Sequence, residues 1–202
     1  MTSTSGPAHR PPARRAAADG PAVGGPARGV PGDLLRVAAL ASVVLAGIRA
    51  GWLGVALFLL VLGGTMVPRA VGTRTALDVT YCGALLAAAW CAQLGVYEKV
   101  TWLDLVVHAA TTGAIATVAH QVLARGGLVA PARHAGASAA LSIIGLGSLV
   151  AVVWELLEWV GHTFVDGDIF VTYTDTLGDL AAALVGSAVA AAVVARDAES
   201  AR

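Results

Sequence analysis

The chain predicts an all-α polytopic membrane protein with six transmembrane helices and both termini in the cytoplasm. Three observations carry that reading. Hydrophobic residues fill 57% of the 202 positions and charged residues only 13%, more apolar surface than a soluble domain of this size can hide from water. Six apolar runs follow one another, separated by short polar or glycine-bearing breaks. The basic residues fall almost entirely on one side of a six-pass thread.

Residues 1–32 are Pro, Ala, Gly and Arg with almost no large apolar side chain. Such a segment cannot offset its ordering entropy by burial, which predicts a disordered cytoplasmic tail. Arg14-Arg15 has the dipeptide of a twin-arginine signal without its flanking residues. Further apolar runs follow the first, so that run reads as an anchor and not as a cleaved peptide. The transmembrane domain is expected over 33–196, in spans 34–48, 52–67, 76–96, 102–124, 136–160 and 174–195, before a short tail at 197–202. The first two spans are short and meet at Arg49-Ala50-Gly51, which predicts a tight helical hairpin or tilted packing. Gly47 with Gly51, and Gly145 with Gly147, offer small surfaces for close helix approach. No strand-type alternation of the outer-membrane barrel kind is present. Cys82 and Cys91 share one predicted helix, about 14 Å apart along its axis at ~1.5 Å per residue. That separation excludes a disulfide between them and leaves packing as their role.

Orientation follows from the cations. Arg10, Arg14, Arg15, Arg28, Arg36, Arg69, Arg74, Arg125, Arg133, Arg196 and Arg202 fall on one side, and Arg49 and Lys99 on the other. The excess marks the cytoplasmic face. Trp52, Tyr97, Trp102, Trp159, Phe164, Phe170 and Tyr173 gather toward the opposite face, as an interfacial belt does. A net charge of zero argues against nucleic acid as a partner; the partners expected are the lipid bilayer and a lipid or lipid-linked substrate.

The acids are the informative residues. Asp104 and His108 open the fourth span, Glu155, Glu158 and His162 close the fifth, and Asp175 and Asp179 open the sixth. In the expected topology all of them lie in the outer leaflet. Asp104/His108 and Asp175/Asp179 are spaced i,i+4, and Glu155, Glu158 and His162 run i, i+3, i+7, so each set shares one helical face. A carboxylate at membrane depth costs several kcal/mol unless it is paired, protonated or bound to a cation. Glu98, Asp104, Glu155, Glu158, Asp166, Asp168, Asp175 and Asp179 face only Arg49 and Lys99, so protons, an inorganic cation or a cationic substrate must supply the balance. Oxygen-rich ligands with an imidazole suit a divalent ion such as Mg²⁺, Mn²⁺, Zn²⁺ or Fe²⁺. The candidate metal ligands are Asp104, His108, Glu155, Glu158, Asp175 and Asp179.

Simpler roles compete. Thr101-x-x-Asp104, Thr172-x-x-Asp175 and Thr176-x-x-Asp179 each fit a helix capping box. Thr172 and Thr176 cannot both cap one helix, so one of Asp175 and Asp179 needs another explanation. Glu155 and Glu158 sit at a helix C-terminus, where the macrodipole disfavours negative charge. Asp78 is expected to cap the third span, His120 to be structural and His162 to be solvated. Asp166-Gly-Asp168 is a fragment of a calcium-loop pattern.

At these residues the chain resembles the YjdF-like family of bacterial inner-membrane proteins. The matching pieces are Asp104-Leu-Val-Val-His108 with Gly113, Glu155-Leu-Leu-Glu158-Trp159, and Asp175-Thr-Leu-Gly-Asp179 with Gly186, within residues 76–195. A more distant likeness is to VanZ-like membrane proteins, though the usual glutamine and arginine positions of that family differ here. The resemblance implies a six-helix fold in the bacterial plasma membrane and assigns no activity. Three functions stay open: a metal-dependent enzyme acting on a lipid or envelope precursor, a cation- or proton-coupled transporter, and a non-catalytic scaffold whose carboxylates hold helices together.

Overall fold

The structure, a computed structural model, describes residues 30–132 and 136–200. The expected disordered tail lies outside the described residues as far as residue 29, as do Arg133 and Arg202. Six α-helices are present among the described residues: α1 (Val30–Val71), α2 (Thr75–Gln93), the short α3 (Val96–Lys99), α4 (Thr101–Arg125), α5 (Gly136–Phe164) and α6 (Tyr173–Ser200). No strand occurs among the described residues. Five of the helices, α3 excepted, are long and apolar enough to cross a bilayer. The boundaries differ from expectation at both ends: α1 begins at Val30, inside the segment read as tail, and α6 runs to Ser200.

Helix α1 counts 42 residues but is not one rod. Gly51 has φ 63° and ψ −145°, a conformation closed to residues with a Cβ, and there the chain turns back on itself. Arg36 Nε donates to the Thr65 carbonyl at 2.9 Å, and Asp33 pairs with Arg69. In a straight helix residues 36 and 65 would stand about 43 Å apart. A Cβ placed on Gly54 would lie 2.6 Å from the Ala46 carbonyl oxygen, so the two arms touch backbone to backbone beside the turn. The hairpin expected at Arg49-Ala50-Gly51 is therefore present. Each arm, 30–50 and 52–71, spans about 30 Å at ~1.5 Å per residue.

Glycines also stop the helices at the opposite end. Gly72 has φ 64°; its N–H bonds Arg69 O, while Thr73 N–H bonds Pro68 O. Gly127, at φ 73°, closes α4 in the same 6→1 and 5→2 pattern onto Leu123 and Ala124.

The interior is built from small residues. Ala39, Ala46, Ala116 and Ala183 are fully buried, with Phe58 and Ile143 as the large exceptions, while leucines and valines such as Leu45, Leu60, Leu149 and Val185 face outward. That is the arrangement expected where lipid covers the outside and helices associate by close backbone approach. Helices α4 and α6 run parallel with α5 antiparallel to both. A Cβ on Gly113 would meet the Gly186 carbonyl oxygen at 2.7 Å, and Gly186 itself packs on the Ala109 carbonyl. Gly147 of α5 packs on Ser187, whereas Gly145 meets nothing within 4 Å, so only one of that pair serves close approach.

The bundle has two chemically distinct ends. Arg125 reaches the Gly72 carbonyl and Arg74 stands 3.6 Å from Asp197, which gathers the start of α1, the α1–α2 turn, the end of α4 and the end of α6. Gly51, the α2–α4 connection, the α5–α6 loop and the candidate acids lie at the other end.

Candidate functional site

The parallel crossing of α4 on α6 sets the site. With Gly113 against Gly186, the α4 face that carries Asp104 and His108 meets Asp179 on α6. His108 Nε2 stands 3.5 Å from Asp104 Oδ1 and 3.8 Å from Asp179 Oδ2, longer than direct hydrogen bonds. The antiparallel α5 brings Glu155 and Glu158 to the same place. Two triads result, Asp104/His108/Asp179 and Glu155/Glu158/Asp179, each offering three ligand atoms within 4.8 Å of one another. Asp179 belongs to both.

Burial makes this juxtaposition costly. Asp179 is 2% exposed and Glu155 8% exposed, and Asp179 Oδ1 and Glu155 Oε1 are buried with no hydrogen-bond partner. An unpartnered carboxylate oxygen in a low-dielectric interior is strongly disfavoured, and the more so with further carboxylates beside it. Three helices thus aim acids at one point where the surrounding protein supplies too few donors.

Asp175, one turn before Asp179, belongs to neither triad. It lines an adjoining open cleft of about 480 Å³ together with Asp104, Asp179, Trp102 and Phe170.

The capping alternatives resolve residue by residue. Thr172 caps α6, its Oγ1 accepting the Asp175 N–H at 3.2 Å. Thr176 sits inside the helix, so Asp179 is the acid that capping leaves unexplained, and it is the one shared by both triads. At α4 the residue preceding the helix is Val100, with no side-chain cap, so the competing Thr101/Asp104 box does not form. Asp78 is not a cap either. It is buried at 3% exposure and makes a two-pronged ion pair with the Arg36 guanidinium. Sequence reasoning missed that pair by reading both residues as end charges. The available signal was position: each lies just inside an apolar run, at the same end of the bundle.

The other singled-out residues stand apart. His162 Nδ1 meets the Ile169 carbonyl at 2.7 Å, tying the α5–α6 loop. Asp166 accepts the Asp168 N–H in a local turn. His120 contacts Ser142 Oγ at 3.1 Å, well down α4. Cys82 and Cys91 are free thiols. Trp52, Trp102, Trp159, Phe164, Phe170 and Tyr173 are exposed at the acidic end. Tyr97 is instead tucked in, its hydroxyl donating to Ala88 O at 3.2 Å, and burial pushes that hydroxyl's pKa well up.

Comparison with known proteins gives one match. The family model described as "Predicted membrane protein (DUF2238)" covers residues 33–199, and the chain belongs to that family. No curated protein and no solved structure matches it.

Proposed function

We propose that this DUF2238 protein, of YjdF-like type, crosses the bacterial plasma membrane six times and holds a divalent cation in the outer leaflet between α4, α5 and α6. The ligands are Asp104, His108, Glu155, Glu158 and Asp179. The observation that carries the reading is the pair of triads sharing Asp179, with one carboxylate oxygen each of Asp179 and Glu155 buried and unpartnered. A cation relieves both the desolvation and the mutual repulsion of these groups. The α1 hairpin arms are each long enough to cross, and the basic end carrying Arg69, Arg74 and Arg125 is assigned to the cytoplasm by the excess of positive charge.

A divalent ion held at headgroup depth supplies Lewis-acid charge for hydrolysis or transfer on a lipid or lipid-linked envelope precursor. The chain's own contribution is to fix the ion from three helices, leave the adjoining cleft open, and offer a carboxylate as proton acceptor. Transport is the second reading, and the basic end argues against it. There Asp78 is locked to Arg36 and His120 contacts Ser142, so among the described residues no free acid continues a path across. A purely structural role accounts for the side-chain hydrogen bond between Glu155 of α5 and Thr176 of α6 but not for the buried oxygens of Glu155 and Asp179 that have no partner.

Elemental analysis of the purified, detergent-solubilised protein tests the proposal. The wild type is expected to carry a near-stoichiometric divalent metal. Glu155→Ala with Glu158→Ala is expected to lose it while eluting as a monodisperse species. Metal content near zero in both proteins rules the cation site out.

A further inference from the structure

The cleft beside the triads has a chemistry of its own. Its wall carries Asp104, Asp175 and Asp179, with no Lys or Arg among its lining residues. An anionic group entering alone is repelled, and a cationic one is attracted. Trp102, in the first turn of α4, and Phe170, in the loop before α6, line the same cleft and are 64% and 62% exposed. Aromatic faces next to carboxylates form the setting in which ammonium groups bind, through the ring quadrupole and the opposite charge together. The inner wall ends at Asp179, itself 2% exposed with an unpartnered oxygen. At about 480 Å³ the cleft falls within the ~300–1,000 Å³ of small-ligand sites. Leu105, lining it, and Leu177, on the turn of α6 beside it, are 42% and 47% exposed at the outer end of the bundle, so the cleft opens sideways onto apolar surface.

We infer that this cleft receives the headgroup of an amine-bearing phospholipid. The ammonium sits against Asp175, between Trp102 and Phe170, and the phosphate turns inward toward the cation. The acyl chains leave over Leu105 and Leu177 into the bilayer. Asp175 thereby gains a role distinct from the triads: it is the carboxylate left over to read positive charge. The phosphate half of this arrangement rests on the cation proposed above, and the ammonium half does not. Gly178 also lines the cleft, and its missing Cβ leaves room there, since a Cβ would stand 3.2 Å from Leu105 Cδ2.

Native mass spectrometry of the full chain, in micelles holding equal phosphatidylethanolamine and phosphatidylglycerol, tests the inference, with metal content measured on the same samples. The wild type is expected to retain the ethanolamine lipid about tenfold over the glycerol lipid, the ratio that a desolvated ammonium–aromatic and ion-pair contact supplies. Asp175→Asn, isosteric and at a half-buried position in the first turn of α6, is expected to bring the ratio to near unity with metal content unchanged. Phe170→Ala, in a loop, lowers the ratio part of the way. Excess soluble phosphoethanolamine that displaces the lipid places recognition in the headgroup, as inferred. A wild-type ratio near unity, a preference for the glycerol lipid, or an Asp175→Asn ratio equal to wild type overturns the inference. If the wild type is metal-free and still shows an Asp175-dependent preference, the cation reading falls and the ammonium site stands.

Discussion

Replacing Asp78 with alanine strands the Arg36 guanidinium inside the helix bundle. Arg36 is 6% exposed and Asp78 3%. The guanidinium places Nε on the Thr65 carbonyl at 2.9 Å, Nη1 on Asp78 Oδ2 and Asp33 Oδ1 at 3.2 Å each, and Nη2 on Asp78 Oδ1. Without Asp78, Nη2 loses its acceptor and the charge keeps only Asp33, whose side chain is 45% exposed and shared with Arg69. Breaking a buried pair by removing one partner costs about 3–5 kcal/mol. Because Asp33 remains, the lower end applies, about 3 kcal/mol, or roughly 6–12 °C in midpoint for a chain of this size. Asp33→Ala, at a half-exposed site, is expected to cost under about 1 kcal/mol. Arg36→Met with Asp78→Leu is expected to recover most of the loss, since removing both charges leaves nothing uncompensated. Thermal melting of the purified protein in one detergent, followed by circular dichroism, reads the wild type and all three variants. If Asp33→Ala lowers the midpoint as much as Asp78→Ala, burial is not what makes the Arg36–Asp78 pair matter, and the reasoning fails.

Three glycine substitutions test the backbone arguments. Gly186→Ala drives a methyl group into the Ala109 carbonyl, forcing α4 off α6; a loss of about 2 kcal/mol or more and a sharp fall in bound metal are expected by melting and elemental analysis. Gly145→Ala meets nothing within 4 Å and is expected to be neutral, or to stabilise by up to ~1 kcal/mol through helix propensity; equal effects at the two glycines would refute the packing account. Gly51→Ala must adopt φ 63°, ψ −145° and is expected to lose about 1–3 kcal/mol; an unchanged midpoint would mean that the hairpin turn does not need glycine there.

Much of this protein could be read from one dimension. Apolar length and composition dictate helices that cross a membrane, because a backbone in lipid must satisfy its own hydrogen bonds. The short break at Arg49-Ala50-Gly51 marked where a hairpin or a tilted pair of spans would join, and the backbone of Gly51 decided for the hairpin. The i,i+4 and i,i+3 spacings put each set of acids on one face, which helical geometry guarantees without reference to any neighbour. The conflict between Thr172 and Thr176 even signalled that Asp175 and Asp179 would part company.

What the spacing could not say is which faces meet. That Asp179 is the acid both triads share, while Asp175 stays in the cleft, depends on the axial rotation of α6. The close contact of Gly186 with Ala109 and Gly113 fixes that rotation. The absence of a cap at Thr101 and the burial of Asp78 against Arg36 likewise follow from how helix ends dock and not from the motifs that flank them. Periodicity determines where a side chain points relative to its own helix axis. Only the packing of small residues between helices, a contact between parts remote in sequence, decides what it points at.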